Sequence, residues 1–128
     1  MMKAVVMTEF GDPSVLTLKE YAKPVAGEHE VLVKIHAAGV NRPDIIQRKG
    51  YYPAPEGEPQ DVLGLEVSGV VEAVGSAVTK WRVGDEIFAL IGGGGYAEYI
   101  AIHEAYCMPK PKNLSFIEAA SLPETLLT

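Results

Sequence analysis

The segment Glu30-Val31-Leu32-Val33-Lys34-Ile35-His36-Ala37 alternates. Extended, it puts Val31, Val33, Ile35 and Ala37 on one side and Glu30, Lys34 and His36 on the other, with Leu32 the exception. A period of two means a strand with one face committed to a core. Glu66 to Val74, ended by Gly75-Ser76, makes a second long strand. Shorter ones are expected at Lys3 to Met7, at Val15 to Lys19 after the turn Gly11-Asp12-Pro13, and at Glu86 to Ile91, Tyr96 to Ile102 and Ala105 to Met108. The chain holds 13 glycines and 9 prolines in 128 residues, above the combined average of about 12%. Many short strands joined by such turns argue for a barrel or a sandwich, not a helix bundle.

Helix signals are few. In Asn41-Arg42-Pro43-Asp44 a capping residue comes first, proline falls within the first turn, and an acid stands where the free N–H groups favour it. Ile45 to Lys49 continues that helix until Gly50 stops it. Ser115-Phe116-Ile117-Glu118 fits a capping box, with Pro123 expected to break the helix behind it. Tyr52 to Gln60, with three prolines, reads as a loop.

Composition excludes several classes. With 48% hydrophobic and 22% charged residues the chain is not disordered. Eleven basic residues against seventeen acidic ones give a net charge of −6, and the basic residues form pairs rather than a stripe, so nucleic acid is not an expected partner. No apolar run approaches the length of a membrane span or a signal peptide core, which makes a cytoplasmic protein the expectation. A lone Cys107 can form no internal disulfide. The length suits one domain and is too short for a two-domain oxidoreductase.

Candidate sites divide sharply. Gly92 to Gly95 suggests a phosphate loop, but a strand-like run, Tyr96-Ala97-Glu98-Tyr99-Ile100, follows it where a helix N-terminus is required, so a flexible hairpin turn is expected. No strand-turn-helix unit carries G-x-G-x-x-G, so the usual dinucleotide fold is absent. His29, His36, His103 and Cys107 lack metal-ligand spacing, and no metal is expected. Asn41, Asp44, Gln47, Tyr51 and Tyr52 concentrate at a strand end, a helix start and a loop. They either cap a helix and cover a core edge, or form a site.

Five motifs in order carry a resemblance. They are Glu30 to Lys34 leading to Gly39-Val40-Asn41-Arg42-Pro43-Asp44; Leu63-Gly64-Leu65-Glu66 with Val74-Gly75; Val83-Gly84-Asp85-Glu86; Gly95-Tyr96-Ala97-Glu98-Tyr99; and Ala119 to Glu124. Together they resemble the N-terminal domain of medium-chain dehydrogenase/reductases, most of all the zinc-independent quinone oxidoreductase branch that includes zeta-crystallin.

The resemblance implies a mainly β, GroES-like, partly open β-barrel as the catalytic domain over residues 1–123. Residues 124–128 would start a linker helix towards a Rossmann domain that this chain lacks, so the chain is expected to be a fragment, inactive alone. It implies NADPH-dependent reduction of quinones without zinc: Asn41 stands where the zinc-binding relatives carry Cys, and Gly64-Leu65-Glu66 replaces their G-H-E. Carried over by position, Asn41 hydrogen-bonds in the nicotinamide–substrate cleft, Asp44 fixes the helix start and the orientation of Asn41, and Tyr51 lines the quinone pocket and offers its hydroxyl. Tyr52 and Gln47 are further wall residues, and Thr128 touches the cofactor. The full-length protein is expected to be a homodimer. Two other readings remain: an enoyl-CoA or enoyl-thioester reductase of the same superfamily, and a non-enzymatic GroES-like binding module.

Overall fold

In the computed structural model, residues 1–51 and 61–124 are described. Tyr52 and Thr128, both expected in the site, lie outside them. The elements are β1 (Met2–Met7), β2 (Leu16–Tyr21), β3 (Glu30–Ala38), α1 (Arg42–Arg48), β4 (Glu66–Val74), β5 (Glu86–Leu90), β6 (Tyr99–His103), β7 (Cys107–Pro109) and α2 (Phe116–Ala120), with single 3-10 turns before β2 and β7. The fold is mainly β. Strands β1 and β2 pair by themselves, and the other five form a sheet in the order β6-β3-β4-β5-β7. Every pairing is antiparallel. Isolated bridges from Ala4 to Ala97 and from Val6 to Val62 tie β1 to the segments that lead into β6 and β4. The sheets do not close on each other, which gives a partly open barrel.

The core is built by the alternating residues. Val31 and Val33 of β3 meet Val67 and Val71 of β4, Ile87 and Ala89 of β5, and Ile100 and Ile102 of β6. Val31, Val33, Val67 and Ile87 are fully buried, and each such side chain contributes about 1.5–3 kcal/mol. Two irregularities change the phase. Leu32 pairs with Ala73 but Val33 with Val71, so Glu72 bulges out of β4; Ile35 pairs with Gly69 but Ala37 with Ser68, so His36 bulges out of β3. A bulge advances the alternation by one residue. Ala38, rather than the expected Ala37, therefore packs against the core. His36 instead stacks on Phe116 of α2, with ring centroids 4.3 Å apart. Leu32, out of phase in the sequence, shares an outer depression with Pro24, Val25, Ala73 and Val74.

Three local expectations need correcting. Gly92 to Gly95 is not a hairpin turn, because β5 and β6 are not neighbours in the sheet. The segment crosses the barrel, with Gly93, Gly94 and Gly95 buried. The N–H groups of Gly94, Gly95 and Tyr96 donate to the carbonyls of Val62, Gly64 and Leu63 at 2.8, 3.2 and 2.9 Å. A Cβ at Gly64, where φ is +111°, would sit 2.7 Å from the Gly95 Cα. Two backbones pass there at a separation that only glycine permits. Strand β6 also starts later than expected, at Tyr99, because Tyr96 and Glu98 bond to β1 instead. Finally, α2 ends at Ala120, and helical backbone resumes at Pro123 and Glu124, so Pro123 opens a turn of helix rather than only breaking one.

Candidate functional site

The chain leaves β3 at Ala38 and turns directly into α1. Asn41 is the residue before the helix, and Asp44, in its first turn, accepts the Asn41 backbone N–H on Oδ2 at 2.9 Å. The helix start is thus capped as the sequence predicts, with Asn41 at the capping position and the Asp44 carboxylate on its backbone N–H. Capping is only part of what they do.

The Asn41 amide Nδ2 donates to Glu66 Oε1 at 3.1 Å. Glu66, at the start of β4, is 3% exposed, and its Oε2 accepts the Glu124 backbone N–H at 2.8 Å. One carboxylate therefore joins the α1 start to the helical turn at Pro123. Buried carboxylates are tolerated when such donors satisfy them. Gly39 makes room for it, since a Cβ there would fall 2.0 Å from Glu66 Oε1.

Asp44 and Gln47, three residues apart on one face of α1, are each 4% exposed. Asp44 Oδ2 also accepts the Tyr96 hydroxyl. Burial first, then that bond and the Asp44 and Glu66 charges, raise the Tyr96 phenol well above its ordinary range, so it stays a donor. Asp44 Oδ1 and Gln47 Nε2 are buried without a hydrogen-bond partner among the described residues. Buried polar atoms are rarely left unsatisfied, and such groups mark functional or hydrated places.

Of the predicted site residues, Asn41, Asp44 and Gln47 come together. Tyr51 does not join them: it stands just past α1, its N–H on the Ile46 carbonyl at 3.0 Å and its residue 82% exposed. None of these four lines the cavity of about 870 Å³ bordered by Met2, Tyr21, Ile91, Ile100, His103 and Met108. Sequence reasoning missed Glu66 and Tyr96 as members of the site. The available signal was Glu66 itself, an acid within a strand otherwise apolar at its start (Leu65, Val67).

The donor set does not fit zinc. Asn41 offers an amide already engaged with Glu66, Leu65 has no lone pair, and among the described residues no three His, Cys, Asp or Glu side chains group to hold a metal ion. Nor do the described residues fit the pyrophosphate of a dinucleotide, whose usual seat is a parallel strand followed by a helix. Here every strand pair is antiparallel.

The alcohol dehydrogenase GroES-like domain matches residues 27–112. The 2-methylene-furan-3-one reductase of Solanum lycopersicum is 42% identical over 137 residues, covering 99% of this chain and 35% of the relative. Among solved structures, the quinone oxidoreductase from Coxiella burnetii superposes with a TM-score of 0.87 at 33% identity, over 99% of this chain and 42% of that one. The CurK enoyl reductase gives 0.88 at 30% identity, over 98% and 40%. This chain thus spans about a third of the curated relative's length. With residues 27–112 matched and the barrel in place, the chain belongs to the alcohol dehydrogenase GroES-like domain family of medium-chain dehydrogenase/reductase enzymes.

Proposed function

We propose that this chain is the substrate-side domain of an NADPH-dependent, zinc-independent quinone oxidoreductase. The observation that carries the reading is the Asn41 amide held at 3.1 Å by the buried Glu66 carboxylate. One amide proton is engaged, and the second can donate to a carbonyl oxygen of the acceptor. A donor fixed beforehand stabilises charge as it develops on that oxygen without the cost of reorienting. Asp44 fixes the helix start beneath Asn41, Gln47 and Tyr52 are wall residues, and the exposed Tyr51 offers an aromatic face and a hydroxyl to a planar ring. NADPH is the reductant this reading names, held mainly by a second domain with Thr128 at its edge. A cytoplasmic homodimer completes it.

The likeness to a quinone oxidoreductase structure supports this reading. A second one, reduction of an enone or enoyl thioester, draws on the tomato reductase and the CurK structure. Titration of the ¹⁵N-labelled chain with 9,10-phenanthrenequinone and separately with crotonyl-CoA distinguishes them. The quinone is expected to shift resonances around Asn41 and Tyr51. Shifts with crotonyl-CoA alone favour the second reading, and none with either removes Asn41 from the substrate site. NADPH oxidation with the quinone is expected to be undetectable for residues 1–128 alone; steady turnover overturns the two-domain reading.

A further inference from the structure

We infer that Tyr96 is a positioning residue for the Asn41 amide, acting through Asp44. The inference rests on the proposed function only in taking Asn41 as the group that meets the ligand. Asn41 and Asp44 lie at the start of α1, whereas Glu66 lies on β4. For the amide to point at Glu66, the two elements must be held in register. Asn41 and Glu66 bond directly, but an amide on a rotatable side chain does not fix the backbone that carries it.

Tyr96 does fix it. Its hydroxyl donates to Asp44 Oδ2, the same oxygen that accepts the Asn41 N–H. With Oδ1 unpartnered, Tyr96 is the only side chain among the described residues that donates to the Asp44 carboxylate. The phenol oxygen also lies 3.4 Å from the carbonyl of Gly39, the residue against which Glu66 packs. The other end of Tyr96 is tied to the segment that leads into β4: its N–H bonds to the Leu63 carbonyl, and the neighbouring Gly95 N–H bonds to the carbonyl of Gly64, two residues before Glu66. Its ring packs against the clusters around Val62 and Leu63. The tyrosine thus measures the distance from the β4 approach to the start of α1, and the carboxylate passes that distance to Asn41.

The experiment follows the side-chain NH₂ pair of Asn41 in ¹H–¹⁵N spectra of the 128-residue chain, assigned by its loss in Asn41→Asp. Tyr96→Phe is expected to move the pair towards free-amide positions and to speed its solvent exchange roughly tenfold, the scale of one hydrogen bond to a charged group. Tyr21→Phe is the control. Tyr21 packs on the same Val62 cluster as Tyr96, but its hydroxyl donates to the Asp61 carboxylate at 2.8 Å and not to Asp44, so the variant is expected to lower thermal stability and leave the Asn41 pair unmoved. A folded Tyr96→Phe variant with an unchanged Asn41 pair overturns the inference, as does an equal response in Tyr21→Phe. If Tyr96→Phe gives no dispersed spectrum, Asp44→Asn decides: it removes the charged acceptor and is expected to move the Asn41 pair, and an unmoved pair rejects the proposal. Quinone titration is read separately. A failure of quinone to bind with the Asn41 response intact overturns the proposed function alone.

Discussion

Asn41 and Glu66, twenty-five positions apart in the sequence, meet through an amide–carboxylate hydrogen bond of 3.1 Å. The other oxygen of Glu66 holds the N–H of Glu124, fifty-eight positions further on, at 2.8 Å. Glu66→Ala removes the acceptor of both bonds in a partly buried place, at about 1–3 kcal/mol each. Urea unfolding is expected to show a loss of about 2–4 kcal/mol, and a smaller loss in Glu66→Gln, which keeps one acceptor oxygen. Equal losses in the two variants count against the role of the second oxygen.

Gly39→Ala tests the same contact by displacement. The new methyl group would stand 2.0 Å from Glu66 Oε1, so the carboxylate must move off the Asn41 amide. Ligand-induced shifts at Asn41 are expected to weaken several-fold while the circular dichroism spectrum stays that of a β protein. Undiminished quinone shifts remove Glu66 from the binding geometry.

The crossing of Gly64 and Gly95 gives a stability prediction. Gly64→Ala combines a positive φ with a clash of 2.7 Å against the Gly95 Cα. Neither atom belongs to a flexible side chain, so the barrel itself must yield. Backbone strain of this kind costs about 1–3 kcal/mol and overpacking adds a similar amount. Thermal unfolding is expected to drop by roughly 10 °C or more, at about 4 °C per kcal/mol for a domain of this size. A drop of only a degree or two means that the two segments do not pass this closely.

Cys107 sets an alkaline limit. Burial, and secondarily the Glu104 carboxylate, pushes its thiol up to about 12 from an ordinary 9. The folded chain therefore holds this proton more tightly than the unfolded one. The stabilisation is complete below pH 9 and is lost as pH rises from 9 towards about 12. Unfolding midpoints should fall through that range, and less steeply in Cys107→Ala, even if that variant starts lower. The same burial predicts slow labelling of the native thiol by a disulfide reagent at pH 8. An identical alkaline slope in the two proteins excludes Cys107 as its source.

Much of this architecture was legible in local patterns, because their causes are local. The long strand Glu66–Val74, ended at Gly75, and the helix starts at Asn41 and Ser115 follow from residue type, turn signals and capping within a few residues. The bulges at His36 and Glu72 were not legible, since a bulge is a property of two paired strands and the registers differ by one residue on either side. The glycine run misled for a related reason. Its composition permits a hairpin, but its neighbours in space, Val62 to Gly64, decide that it crosses the barrel instead.

The sequence by itself determined a mainly β chain with an ordered set of motifs, a capped helix carrying Asn41 and Asp44, and the absence of a phosphate-binding glycine motif. Those features depend on residue chemistry and spacing along the chain. Only the tertiary structure decided that Glu66 and Tyr96 complete the cluster while Tyr51 stands apart in solvent. Contacts between residues 25 and 52 positions apart depend on strand order and backbone separation, and no periodicity in one segment records where another will lie.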